Sequence, residues 1–321
     1  YATELGSLEL KDPGNKSICM SYDFHVTEEN KLKLIEVNTN ASFLALGYEM
    51  YKSRQFPLPV KDFSLEEIRK DVETEIKLCG KIAKSPLTVA IIDEEPEKQR
   101  LFIEFLVYQE LFKQWGWDSK ITDYRKIEPA TTDFIYNRYT DFFLSNSESQ
   151  QLKKAFLDKQ SCFSPNPYEY FLLADKQRMI DWSLSENLTR WNVSAEDQAI
   201  IQSVVPFSLS LETHNKEDIW AKRKTFFIKP KRAFGSKQSY KGASISRKIF
   251  DELAGHEFIA QEFVAPSEQI FKTPEGEQSF KFDLRCLAYQ GRLQLIVARL
   301  YQGQVTNLRT PHGGFACIEF F

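Results

Sequence analysis

Residues 21–43, SYDFHVTEENKLKLIEVNTNASF, constrain the fold more than any other stretch of the chain. Asp23 lies in a short run, and Thr27-Glu28-Glu29-Asn30 reads as a turn. A second strand, Lys31 to Val37, then delivers Glu36 and Asn38. Its apolar residues Leu32, Leu34 and Val37 would alternate but for Ile35, the pattern of a strand covered on both faces near its end. Residues two apart on a strand share a face. Glu36 and Asn38 can therefore offer oxygens to one hard cation, with Asp23 joining from the neighbouring strand. Carboxylate and amide oxygens suit Mg²⁺, which usually keeps waters or phosphate oxygens as well. A polar, solvated hairpin tip is the other reading of this stretch.

At 321 residues the chain is long enough for two or three packed units around a large core. A net charge of −3 argues against a general nucleic-acid or membrane-surface binder. No apolar run approaches the length of a membrane-spanning helix, and no secretory signal is evident. Cys19, Cys79, Cys162, Cys286 and Cys317 are scattered without CxxC spacing, as expected of reduced thiols in a cytoplasmic protein. His25, His214, His256 and His312 are equally dispersed, which disfavours a zinc site.

Ser64-Leu65-Glu66-Glu67 reads as a capping box opening a helix, with an apolar face of Leu65, Ile68, Val72, Ile76 and Ile82. Pro86 marks a boundary. Leu87–Ile92 reads as a buried strand, followed by an acidic turn and a long helix to about Trp115. Strands near Ile121-Thr122 and over residues 133–138, then a helix over about 147–159, complete a βαβ rhythm. That rhythm predicts a small parallel-sheet α/β unit at residues 86–150, between an N-terminal part, 1–85, and a C-terminal part, 151–321.

In the C-terminal part, a helix is expected over about 168–184, carrying Lys176. On base rates such a lysine is a solvated cation. Residues 225–230, TFFIKP, form an apolar strand that ends on Lys229 and Pro230. The next segment, KRAFGSKQSYKG, either folds over a polyphosphate or is a basic hairpin turn. It lacks the Walker A pattern. A strand is expected over 258–264. Residues 280–289 and 293–301 pair as a hairpin about Gln290-Gly291. Asp283, Arg285 and Arg299 are charges within these apolar strands. They must either pair with one another or face a polyanion.

Together, IEVNT-ASF, SPNPYEYFLLADK, FIKPKR…YKG and LRTPHGGFA resemble the ATP-grasp ligases, in the circularly permuted order of the eukaryotic-type glutathione synthetases. The resemblance implies a mixed α+β / α/β fold, in which the 86–150 unit is an inserted substrate-binding domain. It implies that Lys176 and Lys229 bind ATP phosphates, and that a flap including Ser236 and Lys237 covers them. Gln261, Glu262, Phe263 and Val264 would form the hinge beside adenine, with Glu262 or Glu268 near base or ribose and Asp283 near the nucleotide. Asp23, Glu36 and Asn38 would hold Mg²⁺, and Arg299 and Arg309 would act on the transferred phosphoryl group or the substrate carboxylate. The implied activity joins a carboxylate to an amine, on an amino acid or small peptide, in a cytoplasmic protein and possible homodimer. Ser21, Ala233 and Pro311 depart from the pattern, and the residues that would hold a γ-glutamyl group are not evident in residues 97–104, so a substrate other than glutathione's is expected. A second reading is a regulatory or phosphotransfer protein that keeps the ATP site. A third is a protein with no nucleotide site that uses its basic segment, residues 222–241, to meet an acidic partner.

Overall fold

A computed structural model describes residues 2–82, 85–232, 238–307 and 310–319. The opening hairpin is β1 (Met20–Val26) and β2 (Leu32–Asn38). Four strands follow with helices between them: β3 (Thr88–Asp93), β4 (Asp118–Asp123), β5 (Phe134–Asn137) and β6 (Cys162–Ser164). Next come β7 (Ser208–Ser210), β8 (Phe226–Pro230), β9 (Tyr240–Lys241) and β10 (Phe258–Glu262). The chain closes with β11 (Ser267–Thr273), β12 (Gly276–Tyr289), β13 (Arg292–Tyr301) and β14 (Gly314–Ala316).

These strands make three sheets. The opening hairpin completes an antiparallel sheet built mainly from the end of the chain, in the order β14-β13-β12-β1-β2, with β11 also on β12. A smaller antiparallel sheet has the order β7-β10-β8-β9, and a parallel sheet has the order β4-β3-β5-β6. The expected parallel α/β unit is present, and its fourth strand, β6, lies beyond residue 150. Gln290 and Gly291 both take positive φ between β12 and β13, as a tight two-residue hairpin demands.

Four apolar clusters fix these layers, one of them joining Met20, Leu34 and Val37 of the opening hairpin to Met179 and to Ile259 of the small sheet. Ala45, Tyr51, Leu287, Leu295 and Val297 pack helices 44–53 and 65–78 on one face of the large sheet, continuous with Tyr108, Phe112 and Phe134 of the parallel unit. The other face of the parallel sheet buries Ile92, Ile135, Phe156 and Phe171. The small sheet has a core of its own around Ile228, Phe250 and Ala260.

Several local expectations change. Ser64 does precede a helix, Leu65–Leu78, but its side chain makes no cap hydrogen bond. That helix ends before Ile82, which is 90% exposed. Lys176 is not in mid-helix. A π-helical turn, Tyr170–Ala174, stops at Asp175, whose backbone is extended, and helix Gln177–Ser183 starts afresh. The interruption lets the Lys176 N–H donate to the Lys231 carbonyl at 3.2 Å, beside the end of β8. The strand expected over 258–264 stops at Glu262: the Phe263 N–H still donates to the Thr225 carbonyl, but the Thr225 N–H turns away to the Lys222 carbonyl.

One glycine limits how the small sheet closes. A Cβ on Gly242 would lie 2.0 Å from the Arg223 carbonyl oxygen and 2.8 Å from that of Phe226. Gly242→Ala is expected to lower unfolding stability by about 1–3 kcal/mol, because only backbone movement relieves the overlap. An unchanged urea midpoint would show that the strand can shift freely.

Candidate active site

The candidate site is the cleft between the large antiparallel sheet and the small one. Register brings its charges together. Asp23 on β1 stands opposite Glu36 on β2 and Arg285 on β12, and Asp283 on β12 stands opposite Arg299 on β13. Lys229 enters from β8 across the cleft, and Lys176 from the helix break.

Asp23 is fully buried and saturated. Arg285 holds both its oxygens, with Nε 3.0 Å from Oδ1 and a terminal nitrogen 2.9 Å from Oδ2. Arg299 reaches Oδ2 at 2.9 Å, the Asn38 amide donates to Oδ2 at 2.9 Å, and the Ser21 hydroxyl donates to Oδ1 at 3.1 Å. Burial pushes this carboxyl up, but Arg285 and Arg299 outweigh it and hold it at about 2. The expectation that Asp23 ligates a metal is therefore corrected. Its oxygens are already taken by two guanidiniums, and it orders cations around the site.

Glu36 and Asn38 remain suited to a cation. Asp23 is acceptor-only, so the Asn38 amide must point its NH₂ at Asp23, leaving its oxygen for another partner. Glu36 lines the cleft, with Lys176 Nζ 3.9 Å from its Oε2. Burial raises its carboxyl, but Lys176, Lys229 and Arg299 bring the balance below the usual range. It is thus an anion at neutral pH. Two protein oxygens fit Mg²⁺, which usually completes its shell with phosphate oxygens and water. Among the described residues no cluster of three His, Cys, Asp or Glu side chains forms a self-sufficient metal cage.

Lys229 is buried, and its Nζ donates to the Ile35 carbonyl at 3.1 Å and to Gln261 Oε1 at 2.8 Å. Burial lowers its ammonium to about 8, partly offset by Glu36. Arg299 Nε donates to Asp283 Oδ1 at 2.6 Å, and the Thr306 hydroxyl to Asp283 Oδ2 at 2.7 Å. Asp283 and Arg299 are thus paired and also line the cleft.

At the far end the cleft narrows to an aromatic slot. Phe227 and Phe263 are 6.5 Å apart and nearly parallel, and Lys241 Nζ sits 4.5 Å from the Phe263 ring. Glu262, Phe263 and Val264 line this end. Gln261 also reaches the lining, but its Oε1 is bonded to Lys229 rather than held out for a base. Glu268 does not line the cleft. It is exposed on β11 and accepts from the Ser279 hydroxyl at 2.8 Å. Ser236, Lys237 and Arg309 lie outside the described residues.

The sequence reading missed His25, Phe227, Tyr301 and Thr306, all of which line the cleft. Phe227 was reachable, since it stands two residues before Lys229 on one strand. His25 Nδ1 lies 2.9 Å from the Val264 carbonyl and ties the large sheet to the segment after β10. Burial lowers its imidazole, so at neutral pH the ring donates its single Nδ1–H to that carbonyl.

No family model matches this chain, and no curated protein matches it significantly. Among solved structures, a Methylobacillus flagellatus KT protein provisionally described as a gamma-glutamylcysteine synthetase shares the fold, with a TM-score of 0.52 at 8% identity over 95% of this chain and 78% of that one. D-cycloserine synthetase DcsG matches with a TM-score of 0.38 at 11% identity over 65% of this chain and 90% of its own. The ATP-grasp ligase PsnB, bound to a minimal precursor, matches with a TM-score of 0.34 at 12% identity over 68% and 77%. The last two scores are too low to carry an argument. The first shows a shared mixed α+β fold.

Proposed function

We propose that this protein is an ATP- and Mg²⁺-dependent ligase of the ATP-grasp type that joins a carboxylate to an amine. The observation that carries this reading is the meeting of Lys176, Lys229, Arg299, Glu36 and Asn38 in a cleft clamped between two antiparallel sheets and ending in an aromatic slot. The permuted chain order is inferred from β1 and β2, which open the chain yet complete a sheet made from its end. Helping to position the substrate falls to the parallel-sheet unit.

In this reading Phe227, Phe263 and Lys241 hold the base, and backbone groups of residues 262–264 read it. Lys229 and Lys176 neutralise the phosphates. Glu36 and Asn38 hold Mg²⁺, which supplies charge stabilisation at the phosphates when bound. Asp23 keeps Arg285 and Arg299 fixed, and Arg299 faces the transferred phosphoryl group. A substrate carboxylate oxygen attacks the γ-phosphorus, and ADP leaves. The amine nitrogen then attacks the acyl carbon, phosphate departs and the nitrogen loses a proton. Two anions must meet in the first step, so fixed cations are the main catalytic contribution expected of the chain. Arg309, Ser236 and Lys237 are proposed for the same face. The acid and the amine are small molecules, and a homodimer is the proposed assembly.

Release of ADP that requires both an acid and an amine tests this reading. ATP binding without acceptor-dependent ADP release would favour a regulatory nucleotide-binding protein instead. Lys229→Met is expected to weaken ATP about 10–100-fold in calorimetry, the loss of a charge-assisted hydrogen bond to phosphate. The empty variant should be no less stable, because the substitution removes a desolvated cation. An unchanged dissociation constant would reject the phosphate role.

A further inference from the structure

β11 and the start of β12 form a ribbon that outruns the rest of the large sheet. β11 pairs with residues 276–282 of β12, whereas β13 joins β12 only from Lys281 and β1 only from Leu284. Residues 276–280 thus have a strand on one side alone, which is β11. Two strands by themselves are marginal in water, and a third adds stability. β11 is the free edge of this ribbon. Its central residues, 268–272, are all exposed, with Ile270 at 61% and Phe271 at 39%. Among the described residues their backbone groups bond to β12 only. An unpaired edge of this kind is a template for another strand.

The charges say which strand fits. Glu268, Ile270 and Lys272 share one face of β11. In the chain's own ribbon Lys281 stands opposite Glu268, and Glu277 stands opposite Lys272. A lone lysine on the edge would repel a second copy, but Glu268 answers it. An antiparallel copy centred on Ile270 sets Glu268 opposite the partner's Lys272, and Lys272 opposite the partner's Glu268. Signs then alternate across four strands, from Lys281 to Glu268 to the partner's Lys272 to the partner's Glu277. The two-fold axis repeats that row in reverse, and Ile270 meets the partner's Ile270 between the rows. On the other face Gln269 meets the partner's Phe271, and within each chain the Phe271 ring lies 6.0 Å from that of Phe280. The register is specific. A centre at residue 269 or 271 sets one charge against Ile270 and the other against Pro266 or Pro274. A two-fold interface demands such self-complementarity, because the same patch serves both copies.

We propose that β11 is a homodimer interface, in which two copies of this chain join edge to edge through antiparallel β11 strands and merge their large sheets into one. This inference names the surface of the homodimer in the proposed function. It rests on that part of the reading and needs nothing of its nucleotide chemistry.

The test is sedimentation of the intact protein over a range of concentrations, without nucleotide. The wild type is expected to shift toward twice the chain mass as concentration rises. Glu268→Lys and Lys272→Glu should each dimerise at least about tenfold more weakly, since each change sets two like-charge pairs across the axis. Both positions are exposed, so the thermal midpoint of each variant at low concentration should stay near that of the wild type. Mixed in equal amounts, the two variants should dimerise about as well as the wild type. The added lysine of one then faces the added glutamate of the other, and the native pair forms at the second position. Mixing cannot repair a local defect in either ribbon, so recovery identifies a strand-to-strand interface. A wild type that stays monomeric up to about 1 mM overturns the inference and leaves the edge to a different partner. So does a dimer that neither substitution weakens, or a mixture that fails to recover. The ligase reading, which stands or falls on ADP release, is untouched by all three.

Discussion

Replacing Glu36 by Gln is expected to lower Mg²⁺-dependent ADP release by about 10²–10³-fold or more, on the scale of losing one preorganised electrostatic group. Glu36 lines the cleft beside Lys176, and its carboxylate remains available to a cation. Asp23 is taken by two arginines, and Asp283 by Arg299 and Thr306. The substitution keeps the shape of the side chain and leaves the buried arginine network untouched, so the variant should unfold close to the wild-type midpoint. It should still bind ATP without metal, through Lys176 and Lys229. Turnover near wild type in a folded variant would remove Glu36 from the metal site.

Asp23→Asn is expected to act differently, lowering unfolding stability by about 3–5 kcal/mol through the loss of a buried ion-pair partner. Among the described residues Asp23 is the only carboxylate paired with Arg285, whereas Arg299 retains Asp283. The amide would leave Arg285 buried without a counter-ion. The pH dependence follows from the depressed carboxyl. With a folded pKa of about 2 and an unfolded value near 3.9, the stability that Asp23 contributes is complete above about pH 4. It is lost as pH falls through about 2. Urea unfolding at pH 7 and pH 3 should therefore show a gap between wild type and variant that narrows at the lower pH. A gap of equal size at both values would contradict the ion-pair account.

Much of the fold could be read from local pattern. Short apolar runs marked β8, β12 and β13, and the charges within β12 and β13 signalled a polar site because buried charge demands a partner. The position of Lys176 could not be read, because a π-helical turn that ends against the Lys231 carbonyl depends on a contact 55 residues away in sequence, about as far as local pattern fails to reach. Asp23 was legible as part of the site but not in its role. Two arginines more than 260 residues away occupy its oxygens, and only the order of strands in the large sheet brings them there. Asp93 read as the edge of an acidic turn. It is buried near Arg138 only once β5 lies beside β3, which no periodicity within either strand specifies.

The most direct test of the central claim is a thermal-shift titration with ATP, with and without Mg²⁺, on the wild type and on Lys229→Met. A ligand that binds only the native state stabilises it, by about 2.7 kcal/mol at a hundred times its dissociation constant. The cleft predicts a midpoint that rises with ATP, rises further with Mg²⁺, and moves far less in the lysine variant. No rise at millimolar Mg²⁺-ATP in the wild type would contradict nucleotide binding in this cleft, and with it the proposed ligase.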